Sequence, residues 1–166
     1  NQGWTCAKAL LAHERSGIAG VARSKRNLEK LRSIANTERS DTGSALLADA
    51  FFRRKVAELE IDLTALEFTE LRTLAGESSG KGPGPESSIL KIKGTEIQQR
   101  LQELALEAVG HYGAPFLRDL SGSNATVGPS YANGLAGEMF NGRKTSIYGG
   151  SNEIQRNIIA KAVLGL

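Results

Sequence analysis

Residues 45–74 run ALLADAFFRRKVAELEIDLTALEFTELRTL. Phe52, Val56, Leu59, Leu63 and Leu66 recur there at steps of three and four, the spacing of one face of an α-helix. Most of the positions between them are charged or small, as a solvent-facing side requires. The same step recurs on both sides. Upstream, Trp4, Ala7, Leu11, Ile18, Val21 and Leu28 predict a helix over 3–33, ending near the polar stretch 36–43. Downstream, Leu90, Ile97, Leu101, Leu104 and Ala108 predict a third helix over 88–109. A fourth is expected after Gly149-Gly150, with Ser151 as its N-cap and with Ile154, Ile158, Ala162 and Val163 on its stripe. Glycine- and proline-rich stretches at 77–88 and 113–131 read as loops, the second followed by a short helix over 133–140. No strand pattern or internal repeat competes. The expected fold is therefore all-α, an up-and-down four-helix bundle with long loops forming one domain over 1–166.

Composition narrows the function. Of 166 residues, 40% are hydrophobic and 23% charged, which is ordinary for a soluble globular protein. No apolar run reaches the roughly 20 residues that span a bilayer, so no membrane span is expected. The opening Asn1-Gln2-Gly3-Trp4 has neither an initiator Met nor a charged-then-apolar leader. No targeting peptide is expected, and an excised fragment fits. Lone Cys6 excludes an intrachain disulfide, and the two histidines, His13 and His111, lie far apart, so no metal centre is expected. The cytoplasm is the expected compartment. The net charge of +3 is mild, and the basic clusters at 23–26 and 53–55 are followed closely by acids. They read as solvated helix faces, not as a nucleic-acid surface.

One carboxylate sits oddly. The first stripe has a vacancy at position 14, and Glu14 fills it, near the middle of the apolar arc at ~100° per residue. A carboxylate in an apolar seam must be paired, wet or protonated. Desolvation raises its pKa, which suits abstraction of a proton from carbon. From periodicity alone a structural role stays open, with Glu14 paired to an arginine of a neighbouring helix or facing another domain.

The closing run Ile147-Tyr148-Gly149-Gly150-Ser151-Asn152-Glu153-Ile154-Gln155-Arg156-Asn157-Ile158-Ile159-Ala160 resembles the closing signature of acyl-CoA dehydrogenases. A second match lies at the other end, where Gly3-Trp4, Leu10-Leu11 and Glu14-Arg15 resemble the first helix of that family's C-terminal domain. The resemblance implies that this chain is the last of three domains, with an N-terminal helical domain and a middle β-domain absent from it. It implies an FAD enzyme of lipid metabolism and fatty acid β-oxidation. Such enzymes take a proton from the α-carbon of an acyl-CoA, pass a hydride from the β-carbon to the flavin and release a trans-2-enoyl-CoA. It further implies electron-transfer flavoprotein as acceptor, and a homo-oligomer or a heteromeric partner subunit.

Most members carry the catalytic glutamate directly after the signature tyrosine, where this chain has Gly149. A branch that includes isovaleryl-CoA dehydrogenase places the base on the first helix, before an arginine. Here that position is Glu14, before Arg15. The resemblance thus implies Glu14 as the catalytic base and Arg15, Tyr148 and Gly149 as substrate-binding residues. The Gly149 N–H would hold the thioester carbonyl as an oxyanion hole does. Gly150, Ser151 and Glu153 are implied at the FAD, and no metal is. Two family segments are weak. Thr37-Glu38-Arg39-Ser40-Asp41 lacks the usual Arg-x-x-Phe-Gly, and 110–116 only partly resembles the flavin-contacting glycine segment. These departures keep a non-catalytic assembly subunit of a heteromer in view. An acyl-CoA oxidase is not separated from a dehydrogenase by this sequence.

Overall fold

A computed structural model describes residues 2–7, 10, 17, 19–80, 84–115 and 128–166. Glu14 and Arg15 lie outside the described residues, as do Leu11 and Ile18. The fold is all-α. Among the described residues, 3–7 are helical, and five helices have both ends defined: α1 (Val21–Thr37), α2 (Ala50–Ser78), α3 (Glu86–Val109), α4 (Leu135–Gly142) and α5 (Asn152–Ile159). Short 3-10 turns flank several of them, and a π-turn continues α5 over Ala160–Leu164. Among the described residues the sole β pairing is an isolated bridge between Arg39 and Ala45.

The predicted stripe of α2 is its buried face, with Phe52, Val56, Leu59, Leu63 and Leu66 all excluded from solvent. The helix starts five residues later than the periodicity predicts. Leu46–Ala48 form a 3-10 turn, and the Asp49 carboxylate caps α2 by accepting from the Phe51 and Phe52 N–H groups at 3.0 and 2.9 Å. The first helix departs more. Ala19 lies in a turn and Gly20 takes a φ of 59°, so a new helix begins at Val21. A left-handed residue cannot continue a right-handed helix, and glycine adopts that conformation without a Cβ penalty. Upstream of this break Trp4, on the predicted apolar face, is 71% exposed.

The chain divides into two compact units. One comprises 24–60 and 98–143. Its core includes Leu28, Leu31, Ile34, Phe52, Val56, Leu59, Leu101, Leu104 and Leu135. Lys55 pairs with Glu107 at 2.5 Å and Glu58 with Arg100 at 2.8 Å, so α2 and α3 run antiparallel in this unit. The other comprises 1–23, 61–97 and 144–166. Its core is different in kind. Seven of the nine buried polar or charged residues recorded among the described residues belong to it, namely Ser87, Ser88, Lys91, Thr95, Thr145, Asn152 and Gln155. Buried polar groups persist only when hydrogen-bonded, so this unit is built around specific partners.

Candidate functional site

The partners converge on residues 147–151, the connection between the 3-10 turn Arg143–Ser146 and α5. Two consecutive glycines, Gly149 at φ 67° and Gly150 at φ 86°, turn the chain through left-handed conformations. Ser151 then caps α5 as predicted, its side chain accepting from the Ile154 N–H. The Glu153 carboxylate is held below its usual range, first by its own backbone N–H and then by the Ser151 hydroxyl.

The turn is gripped from inside. The Gln155 Nε2 donates to the Gly149 carbonyl at 3.1 Å and to the Gly150 carbonyl at 3.3 Å, while its Oε1 accepts from the Ser88 hydroxyl at 2.8 Å. A trans peptide sets its N–H opposite its C=O, and no peptide here is cis. With two carbonyls aimed at Gln155, the N–H groups of Gly150 and Ser151 point away from it. None of the N–H groups of Gly149, Gly150 and Ser151 has a protein hydrogen-bond partner among the described residues. Lys91 adds a second grip, donating to the Ser146 carbonyl at 3.1 Å and to the Asn152 Oδ1 at 2.8 Å. Burial pushes its ammonium below the usual lysine range, and the Glu153 carboxylate pulls the other way.

Tyr148, Gly149, Gly150, Ser151 and Glu153 thus fall on one turn and the helix it starts. Tyr148 is 47% exposed, so it is not a packed core tyrosine. The expected stripe of α5 needs correction: Ile154 and Val163 are exposed, whereas Asn152 and Gln155 are buried. The reason is that the turn's inward carbonyls and the Lys91 ammonium of α3 take polar partners from the facing side of α5. Lys91, Asn152 and Gln155 are site-building residues that sequence reasoning missed.

A second carboxylate was also missed. Glu70 lies four residues after Leu66, continuing the inward stripe of α2, so the periodicity that singles out Glu14 could have found it. It lines a cavity of about 200 Å³ with Gly17, Thr73, Leu74 and Leu90. Burial, and then the neighbouring Glu67 charge, raise its pKa. No group of three potential metal ligands occurs among the described residues. No helix there is long and apolar enough to cross a membrane.

A turn whose amide N–H groups lack protein partners among the described residues, at a helix start, can hold an anionic or carbonyl oxygen. Comparison with known proteins identifies the family. Residues 1–164 match the family described as acyl-CoA dehydrogenase, C-terminal domain. The chain is similar to acyl-CoA dehydrogenase IpdE1 of Mycobacterium tuberculosis, 29% identical over 164 residues that cover 99% of this chain and 38% of that protein. Its fold is similar to that of the ChsE4–ChsE5 complex from the same species, with a TM-score of 0.74 and 25% identity over 99% of this chain and 41% of that one. It is also similar to butyryl-CoA dehydrogenase from Megasphaera elsdenii, with a TM-score of 0.78 and 21% identity over 98% and 39% of the two chains. The chain spans about two fifths of the length of these proteins.

Proposed function

We infer the function from one premise: this chain belongs to the acyl-CoA dehydrogenase family, as a C-terminal domain of it. We propose that the protein containing it α,β-desaturates an acyl-CoA thioester to a trans-2-enoyl-CoA. The observation that carries this reading is the turn at 148–151, with its carbonyls drawn inward and its amide donors unpartnered among the described residues. The Gly149 N–H would polarise the thioester carbonyl and so acidify the α-proton, a role that survives without a side chain. Glu14 would take that proton, with Arg15 beside it, and Tyr148 would border the acyl chain. The residues present fit FAD: Gly150, Ser151 and Glu153 would meet it, with the Gly150 and Ser151 N–H groups turned away from Gln155 and without protein partners among the described residues. When bound, that flavin would supply the hydride acceptor. Electron-transfer flavoprotein is the proposed oxidant of the reduced enzyme.

A heteromeric arrangement is the second reading. It is favoured by the segment at 37–41, which lacks the family's arginine motif. Instead Glu38 accepts from the Tyr131 hydroxyl at 2.7 Å, and Ser40, Thr42 and Ser44 hydrogen-bond among themselves. A similar structure is a complex of two named chains, ChsE4 and ChsE5. A partner subunit would then supply part of the flavin contacts.

The test uses the full-length protein, mixed anaerobically with a panel of acyl-CoAs while flavin absorbance is followed. The parent should bleach with at least one thioester. Glu14→Gln should slow bleaching at least 10²-fold, the lower end of what a positioned base contributes. Glu70→Gln should bleach at close to the parental rate. A reversal of these two results would move the base from the first helix to α2.

A further inference from the structure

We propose that Lys91 is a positioning residue for this reaction: with Gln155 it clamps the 147–151 turn so that its amide donors keep the geometry that thioester and flavin need. The kinetic part of this proposal rests on the desaturase reading above, whereas the clamp itself does not.

Lys91 is 0% exposed, and an ammonium brings three donors with it. Both of its partners are neutral oxygens, and no carboxylate lies within ion-pair distance of it among the described residues. Such burial is a poor way to gain stability, because an apolar side chain of similar length would fill the space without desolvating a charge. A methionine could not tie down both ends of the turn. Ser146 is the last residue before it and Asn152 the first after it, so one Nζ bridges the two ends across residues 147–151.

Gln155 completes the clamp from within, and the two grips are independent. Lys91 reaches the ends of the turn from α3, and Gln155 reaches its middle carbonyls from one turn into α5. The fit is close: a Cβ built on Gly150 would lie 2.5 Å from the Gln155 Nε2. A turn with two left-handed glycines has wide conformational freedom by itself. These side chains remove that freedom before any ligand arrives. The ammonium also places a positive charge behind donors that would meet an oxygen of growing negative charge.

The test again uses the full-length protein, with Lys91→Met and Lys91→Gln. Lys91→Met should keep its flavin and stay within a few degrees of the parental Tm. Bleaching by the best thioester should slow about 10- to 100-fold, the scale of a ~1 Å misplacement. Amide hydrogen exchange should quicken at Ile147 and Tyr148, whose N–H groups both donate to the Lys144 carbonyl at the start of the turn, and stay parental in the rest of the domain. Lys91→Gln, which keeps a donor, should fall between. Parental bleaching and parental exchange in Lys91→Met overturn the proposal, as does exchange that rises throughout the domain with a falling Tm. If Lys91→Met does not fold, Asn152→Ser should give the same localised exchange, and its absence there counts against the clamp equally. A parent that bleaches with no thioester defeats the desaturase reading alone, and exchange at Ile147 and Tyr148 then decides the clamp.

Discussion

Glu70 is costly to the fold at neutral pH. Its folded-state pKa is raised, so below the carboxylate range both folded and unfolded chains hold the proton and the residue is neutral to stability. As pH rises through the ordinary glutamate value, the unfolded chain releases its proton first. Stability then falls until the raised folded value is passed, and the loss persists above it. Glu70→Gln should therefore raise the Tm at pH 7 by about 1–3 °C, the scale that some tenths of a kcal/mol produce in a domain of this size. At pH 4 the gain should shrink toward zero. Thermal scans of both proteins at the two pH values check this, and equal gains at both would show that burial of the charge is not the cause. Glu70 was legible in principle, since it continues the stripe of Leu63 and Leu66. Lys91 was not. A lysine beside Leu90 reads as the edge of a solvated face, and only the carbonyls of a turn more than fifty residues away make it a buried one.

Among the helices, close approach overrides propensity at one position. A Cβ on Gly94 of α3 would lie 2.6 Å from both the Cα and the carbonyl oxygen of Ala19. Helix propensity alone favours Ala over Gly by about 1 kcal/mol in a helix interior. Contact with backbone, which cannot swing aside as a side-chain end can, should reverse that sign, with overpacking costing about 1–3 kcal/mol. Gly76 in α2 is the control, since a Cβ there meets nothing within 4 Å. Gly94→Ala should lower the urea midpoint and Gly76→Ala should raise it. If both rise, Ala19 is not held against α3. Helix identity and the main stripe of α2 were readable because period-3.6 burial is a local property. The stop at Ala19–Gly20 was not, because an isolated glycine inside a helical apolar period is tolerated and does not by itself mark a break. The polar face of α5 escaped for another reason: its isoleucines carry the period, while the partners of Asn152 and Gln155 are set by tertiary contacts.

As a whole molecule the chain matches its family over residues 1–164 yet spans only 38% of the length of IpdE1. In the proposed reading the amide donors at 149–151 make up one side of a site, and flavin enzymes of this family are proposed to need more chain than this to enclose one. The 166-residue chain alone, incubated with FAD and an acyl-CoA panel, should retain no flavin on gel filtration and should leave the flavin oxidised. Retention of FAD by this chain would mean that the 148–151 turn and its neighbours suffice for binding. The family was legible from the closing run and the first helix together. The weak segment at 37–41 was equally legible as a departure, and in the structure it has its own internal hydrogen bonds and a tyrosine contact.

The left-handed residue at Gly20 has a consequence for how bearings around the first helical stretch are reckoned. An angular clock of 100° per residue keeps time only along unbroken helix, and here it is reset between Ala19 and Val21. Val21 and Leu28 therefore belong to a different dial from Trp4 and Ala7, and they carry no vote on where Glu14 points. One glycine thus separates the bearings of α1 from those of the residues before it.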